Sequence, residues 1–104
     1  FRMIKTLENL FNLVRDRKKF PKEDSYTNKL LMNKSLVKAK VLEEINELIE
    51  AVDNDTNKIH EAADVFYHLI TFLEANNIKI EEVMVELEKR RKWATTKIIF
   101  LQKF

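Results

Sequence analysis

The chain contains no glycine and no cysteine, and its one proline is Pro21. Walker loops, dinucleotide-binding turns and nucleophile elbows all need residues that accept positive φ or close backbone approach, so a chain without glycine carries none of them. If the protein handles a nucleotide, its phosphate charge has to be met by metal ions and by lysine or arginine side chains. Without cysteine there is neither a disulfide nor a thiolate zinc site. No apolar run in the sequence reaches membrane-spanning length, and no signal-peptide pattern opens it. The expectation is a cytoplasmic protein with no membrane partner.

What is present is helical in character. Apolar residues make up 45% and charged residues 35% of the 104 positions, a mixture that suits amphipathic helices better than disorder. The length predicts a single domain over residues 1–104, with a core small enough that association with a second copy is expected. The formal net charge is only +2. Its basic clusters, Arg15-Asp16-Arg17-Lys18-Lys19 and Lys89-Arg90-Arg91-Lys92, suit helix C-termini, so nucleic acid is not an expected partner.

Taken in order, Phe1 and Arg2 have no assigned role. The spacing of Leu7, Leu10, Phe11 and Val14 predicts a helix from Thr6, as N-cap, to Lys19, ending before Pro21. Ser25-Tyr26-Thr27 offers hydroxyls that can cap a helix or bind phosphate, the capping role being favoured by composition alone. A short helix precedes a break at Asn33-Lys34-Ser35, with Ser35 as the next N-cap. A second long helix, about Leu36 to Val52, carries the stripe Val37, Val41, Ile45, Leu48, Ile49 and Val52. A third, about Thr56 to Ala75, carries Ala62, Val65, Phe66, Leu69, Phe72 and Leu73, and Asn76-Asn77 closes it. A fourth begins near Ile80. Trp93 and the tail Ile98-Ile99-Phe100-Leu101, part of a C-terminal extension over 94–104, need a partner surface. The predicted architecture is an all-α bundle of about four main helices, with an antiparallel central pair and a core completed by dimerisation.

Two acidic pairs stand at matching places on the central helices. Glu44 and Glu47 are three positions apart, as are Glu61 and Asp64, and at 100° per residue each pair has one member on the flank of its apolar stripe and the other beyond it. For any single glutamate a solvated face with a Lys40 to Glu44 ion pair is the better reading. The repeated angle and spacing on two helices argue instead for four carboxylates directed at one point. His68 falls between Glu61 and Asp64 on the wheel and reads as a surface residue or a supporting contact rather than a ligand, while Tyr67 and His60 have no evident chemistry. Oxygen ligands without cysteine suit Mg²⁺, or Mn²⁺, better than zinc. Metal-assisted hydrolysis of a phosphoanhydride follows as the reaction class.

The segments Ser25-Tyr26-Thr27-Asn28-Lys29-Leu30-Leu31, Lys40-Val41-Leu42-Glu43-Glu44-Ile45-Asn46-Glu47 and Glu61-Ala62-Ala63-Asp64-Val65-Phe66-Tyr67-His68-Leu69 resemble the phosphoribosyl-ATP pyrophosphohydrolases of histidine biosynthesis. Their core, Glu-Glu-x-x-Glu followed by Glu-x-x-Asp, is shared with the wider MazG-like superfamily. The resemblance implies an all-α homodimer that releases pyrophosphate from phosphoribosyl-ATP with Mg²⁺. It implies Glu44, Glu47, Glu61 and Asp64 as metal ligands, with Glu43, Glu44 and Glu47 in the catalytic group and Glu43 as a further ligand or water-orienting base. Lys40, Ser25, Thr27, Arg90 and Arg91 would face phosphates, and His68 would stand behind the ligands. The sequence departs from the family in having Leu42 before the paired glutamates and Ile45 after them, where glycine and a small residue are usual. Two other readings compete: a housecleaning hydrolase of (deoxy)nucleoside triphosphates from the same superfamily, and a non-catalytic helical module for dimerisation or nucleic-acid binding.

Overall fold

The computed structural model describes residues 3–96, with side chains from Ile4 to Lys92; Trp93 and the apolar tail thus fall outside the described side chains. Five helices follow one another: α1 (Met3–Lys19), α2 (Tyr26–Leu31), α3 (Lys34–Asn54), α4 (Lys58–Ala75) and α5 (Ile80–Thr96). Among the described residues there is no strand, and no helix is long and apolar enough to cross a membrane.

Local chemistry sets most of the boundaries. The first helix starts at Met3, so Thr6 lies inside it and is not its N-cap; Ile4 extends the apolar spacing of Leu7 and Phe11 one turn upstream. Ser25 caps α2 by accepting from the Asn28 N–H. Asn33, not Ser35, caps α3: in an extended conformation it accepts from the Leu36 N–H at 3.0 Å, and Ser35 is already in the first turn. In a chain without glycine, the left-handed positions fall to Asp55 (φ 54°), Asn57 (φ 41°) and Asn77 (φ 59°), residue types that tolerate that region best. Two of them stand beside helix-ending bonds of the 6→1 kind, Thr56 N–H to Ala51 C=O and Ile78 N–H to Leu73 C=O, both 2.9 Å. The three-residue turn Asp55-Thr56-Asn57 reverses the chain, so α4 starts at Lys58 rather than Thr56 and runs antiparallel to α3.

The α3–α4 pair is the centre of the molecule; α1 and α2 pack on α4, α2 also touches α1 and α3, and α5 rests more lightly on α4. Leu30 from α2, Val37 from the start of α3 and Ala75 from the end of α4 form one buried cluster, with Leu31, Tyr67 and Phe72 around it, and Val14, Ala51 and Ile70 are buried as well. Arg15 of α1 forks onto Glu81 of α5 through two 2.9 Å bonds. Lys18 donates to the Glu74 carbonyl in the last turn of α4 and to Asn77.

Helix α3 is rotated relative to its apolar stripe. Its buried residues are Val37, Glu44 and Ala51, seven apart on one seam, whereas Ile45, Ile49 and Val52 of the expected stripe are exposed, as is Leu42. On α4, Ile59, Phe66 and Leu69 are exposed as well. By angular position these residues lie on the flanks away from Glu47 and Asp64, and because the helices are antiparallel both flanks fall on the same side of the pair.

Candidate metal centre

The seam that buries α3 against α4 carries the acids. Glu44 is a carboxylate only 6% exposed, at the middle of that seam between Val37 and Ala51. It lies one turn from Glu47 on α3, and the short turn at Asp55–Asn57 brings Glu61 of α4 back beside them. Glu44, Glu47 and Glu61 each offer an oxygen within 4.8 Å of the others, and Glu61 also belongs to a second group of that size with Asp64 and His60. Glu61 therefore links both acidic pairs.

Two oxygens in this cluster are buried without a hydrogen-bond partner, Oε2 of Glu44 and Oε2 of Glu61. Buried polar atoms in folded proteins are almost always paired, so these two oxygens call for a hydrogen-bond donor or a cation. The electrostatics agree. Burial, then the nearby Glu47 and the charge of Asp64, push the Glu44 carboxyl up to about 7 against a smaller opposing effect of Lys40. Glu61 is raised too, by burial first and then by the charge of Glu47. Lys40 is spent mainly on Glu43, 2.9 Å away, and stands 4.0 Å from Glu44, so it only partly offsets the cluster. Carboxylate oxygens and one imidazole, with orphaned acceptors at the centre, fit a hard divalent cation.

A hydrogen-bonded wall from α2 and α4 stands beside the acids. His68 is not at the surface; it is 5% exposed, with Nδ1 2.7 Å from the Asp64 carbonyl and Nε2 3.1 Å from the Tyr26 hydroxyl. Thr27 bonds the Tyr67 hydroxyl, Tyr26 stacks on Tyr67 at 6.3 Å, and the His68 ring stands edge-on to both.

A family-wide sequence profile described as "Phosphoribosyl-ATP pyrophosphohydrolase" matches residues 7–91, which takes in α2, the acidic pairs and this wall. The chain belongs to the phosphoribosyl-ATP pyrophosphohydrolase family. Individual relatives agree. A phosphoribosyl-ATP pyrophosphatase from Clostridium novyi (strain NT) is 44% identical over 94 residues, covering 86% of this chain and 84% of that protein. Another from Listeria welshimeri is 41% identical over 95 residues, covering 88% and 91%. One from Halobacterium salinarum is 36% identical over 91 residues, covering 82% and 96%.

Within this family member the other candidate residues are placed unevenly. Glu43 is half exposed, outside both carboxylate groups, and paired with Lys40. The hydroxyls of Ser25 and Thr27 already have partners within the fold, the Asn28 N–H and Tyr67. Arg90 and Arg91 are exposed on α5 and pair with Glu86 and Glu88 of the same helix, with no bond to the acidic cluster. Sequence reasoning missed His60, whose Nε2 lies 3.3 Å from Asp64 Oδ2, and the parts played by Tyr26 and Tyr67. The His60–Asp64 spacing of four was a visible signal; the aromatic contacts join residues about forty positions apart and leave none.

Proposed function

We propose that this chain hydrolyses phosphoribosyl-ATP to phosphoribosyl-AMP and pyrophosphate in histidine biosynthesis in the cytoplasm, using Mg²⁺, or Mn²⁺ in its place, held by Glu44, Glu47, Glu61 and Asp64. The observation that carries the chemistry is the pair of buried, unpartnered oxygens on Glu44 and Glu61. The substrate comes from the family, whose relatives are named for phosphoribosyl-ATP. A cation bound there would neutralise phosphate oxygens and make a water more acidic. Water adds to phosphorus at the α–β bridge, the bridging P–O bond breaks, and pyrophosphate leaves. Glu43, beside the ligands and outside them, accepts the proton of that water. Lys40, raised in pKa by its hydrogen bond to Glu43, stays cationic and meets the phosphates from the α3 side.

A second copy of the chain covers the exposed apolar flank of the α3–α4 pair. Phe66 is 57% and Ile49 is 53% exposed there, and their neighbours Leu42, Val52 and Leu69 share the same side. Removing a patch of this kind from water drives association. In that dimer Arg90 and Arg91 serve the phosphates of the other copy.

The test is pyrophosphate release by the purified chain from phosphoribosyl-ATP, beside a panel of ordinary and modified (deoxy)nucleoside triphosphates, with Mg²⁺ and with chelator. Turnover of phosphoribosyl-ATP that exceeds the panel and stops with chelator is the expected result. Preference for a triphosphate would replace the substrate but keep the reaction. No turnover of any of them would end the proposal.

A further inference from the structure

The wall beside the acids contains a chain of hydrogen bonds whose direction is set at one end. A backbone carbonyl only accepts, so the 2.7 Å contact between the Asp64 oxygen and His68 Nδ1 places the imidazole proton on Nδ1. A neutral imidazole with its proton on Nδ1 offers only a lone pair at Nε2. The Tyr26 hydroxyl, 3.1 Å from Nε2, therefore donates its proton there. Burial raises the pKa of this hydroxyl against the opposing charge of Lys40, which keeps the proton in place at neutral pH.

Having given away its proton, the Tyr26 oxygen can only accept. It makes no other hydrogen bond to the described side chains, although the residue is 46% exposed. It stands beside the acidic centre through His68, whose Nε2 meets this hydroxyl at 3.1 Å and whose Nδ1 meets the Asp64 carbonyl at 2.7 Å. An acceptor-only oxygen repels the oxygens of a phosphate and suits a hydroxyl donor. In a nucleoside triphosphate cleaved between the α and β phosphorus atoms, the nearest such donors to the reacting phosphorus are the hydroxyls of the ribose carried on the α-phosphate.

We infer that Tyr26 is a specificity residue: its hydroxyl oxygen, polarised by His68 and Asp64, accepts a hydrogen bond from a hydroxyl of the nucleotide's own ribose and selects ribonucleotide over deoxyribonucleotide. This rests on the proposed hydrolysis of phosphoribosyl-ATP. His68 is a positioning residue in this scheme, acting through Tyr26.

The experiment compares phosphoribosyl-ATP with its 2′-deoxy and 3′-deoxy counterparts in the unaltered enzyme and in Tyr26→Phe and Tyr67→Phe, reading KM and kcat separately. In the unaltered enzyme one deoxy substrate is expected to show a KM raised by roughly tenfold, the size of one hydrogen bond to a half-exposed acceptor. Tyr26→Phe is expected to raise the KM of phosphoribosyl-ATP by the same factor and to erase the difference between the substrates, with kcat little changed. Tyr67→Phe removes the neighbouring bond to Thr27, leaves the Tyr26 oxygen in place, and is expected to keep the discrimination. Discrimination that survives in Tyr26→Phe, or is lost equally in Tyr67→Phe, would overturn the role of Tyr26 alone. Equal KM values for all three substrates in the unaltered enzyme would do the same. No turnover by the unaltered enzyme would overturn the proposed function and this inference together.

Discussion

Glu44 on α3 and Glu61 on α4 meet across the central seam, each with a buried oxygen that has no hydrogen-bond partner. Such an arrangement costs stability in the free protein and pays it back only when a cation is bound. Opposite effects on folding and on activity follow for the same substitution. Glu44→Gln or Glu61→Gln is expected to lower turnover by at least ~100-fold, beyond the usual loss from disturbing a metal's supporting contacts. In chelator, Glu44→Gln should melt higher than the unaltered protein, since a neutral amide donates to the remaining carboxylates. A lower melting temperature in chelator would show that the cluster is satisfied without metal.

The Glu44 carboxyl sets a pH dependence with a definite sign. Its pKa rises from the ordinary 4.5 to about 7 on folding, so between those values the folded chain holds more protons than the unfolded one. Stability of the chelated protein is therefore full below the unfolded pKa and falls as pH rises toward and through 7, by on the order of 3 kcal/mol at most. Melting temperatures from pH 4.5 to 8 should decline in chelator, stay flatter with saturating Mg²⁺, and decline less steeply in Glu44→Gln, where Glu61 is the raised carboxyl that remains. A rising curve in chelator would contradict the assignment.

The apolar flank predicts an oligomer. Charge introduced at Ile49 or Phe66, as Ile49→Glu or Phe66→Glu, is expected to shift the sedimenting species from dimer to monomer. Turnover should fall with it where Arg90 and Arg91 act across the interface. An unchanged dimer would place the interface elsewhere.

Leu30 is fully buried against Val37 and Ala75, tying the short α2 to the ends of α3 and α4. Leu30→Ala is expected to cost about 2–5 kcal/mol by lost burial and the cavity left behind. For a domain of this size the thermal midpoint should fall by about 10 °C or more. A smaller shift would mean that α2 contributes little to the cooperative unit.

How far the sequence could be read varied with the range of the interaction. The long helices were legible because apolar spacing and polar turns are local, and the acidic pairs because carboxylates three apart share a helix face. Boundaries slipped where the competing residues were alike: Asn33 caps α3 although Ser35 is also a good cap, and Asn57 delays α4 by two residues. The rotation of α3 was not legible. Its stripe carries more apolar surface than α4 alone can cover, and periodicity cannot say which part of a wide stripe faces inward. The aromatic wall was hidden for a related reason, since Tyr26 and His68 are 42 positions apart and share no local signal.

By itself the sequence determined the helical class, the reversal between α3 and α4, and the two acidic pairs on neighbouring helices, because each depends on neighbours a few residues apart. Only the tertiary structure decided that Glu44 is buried on the seam while Ile49 and Phe66 are left outside, that Lys40 is mostly claimed by Glu43, and that His68 reaches Tyr26. These outcomes come from how two wide apolar stripes share a limited contact area, a competition settled by packing across helices and not by the order of residues along one.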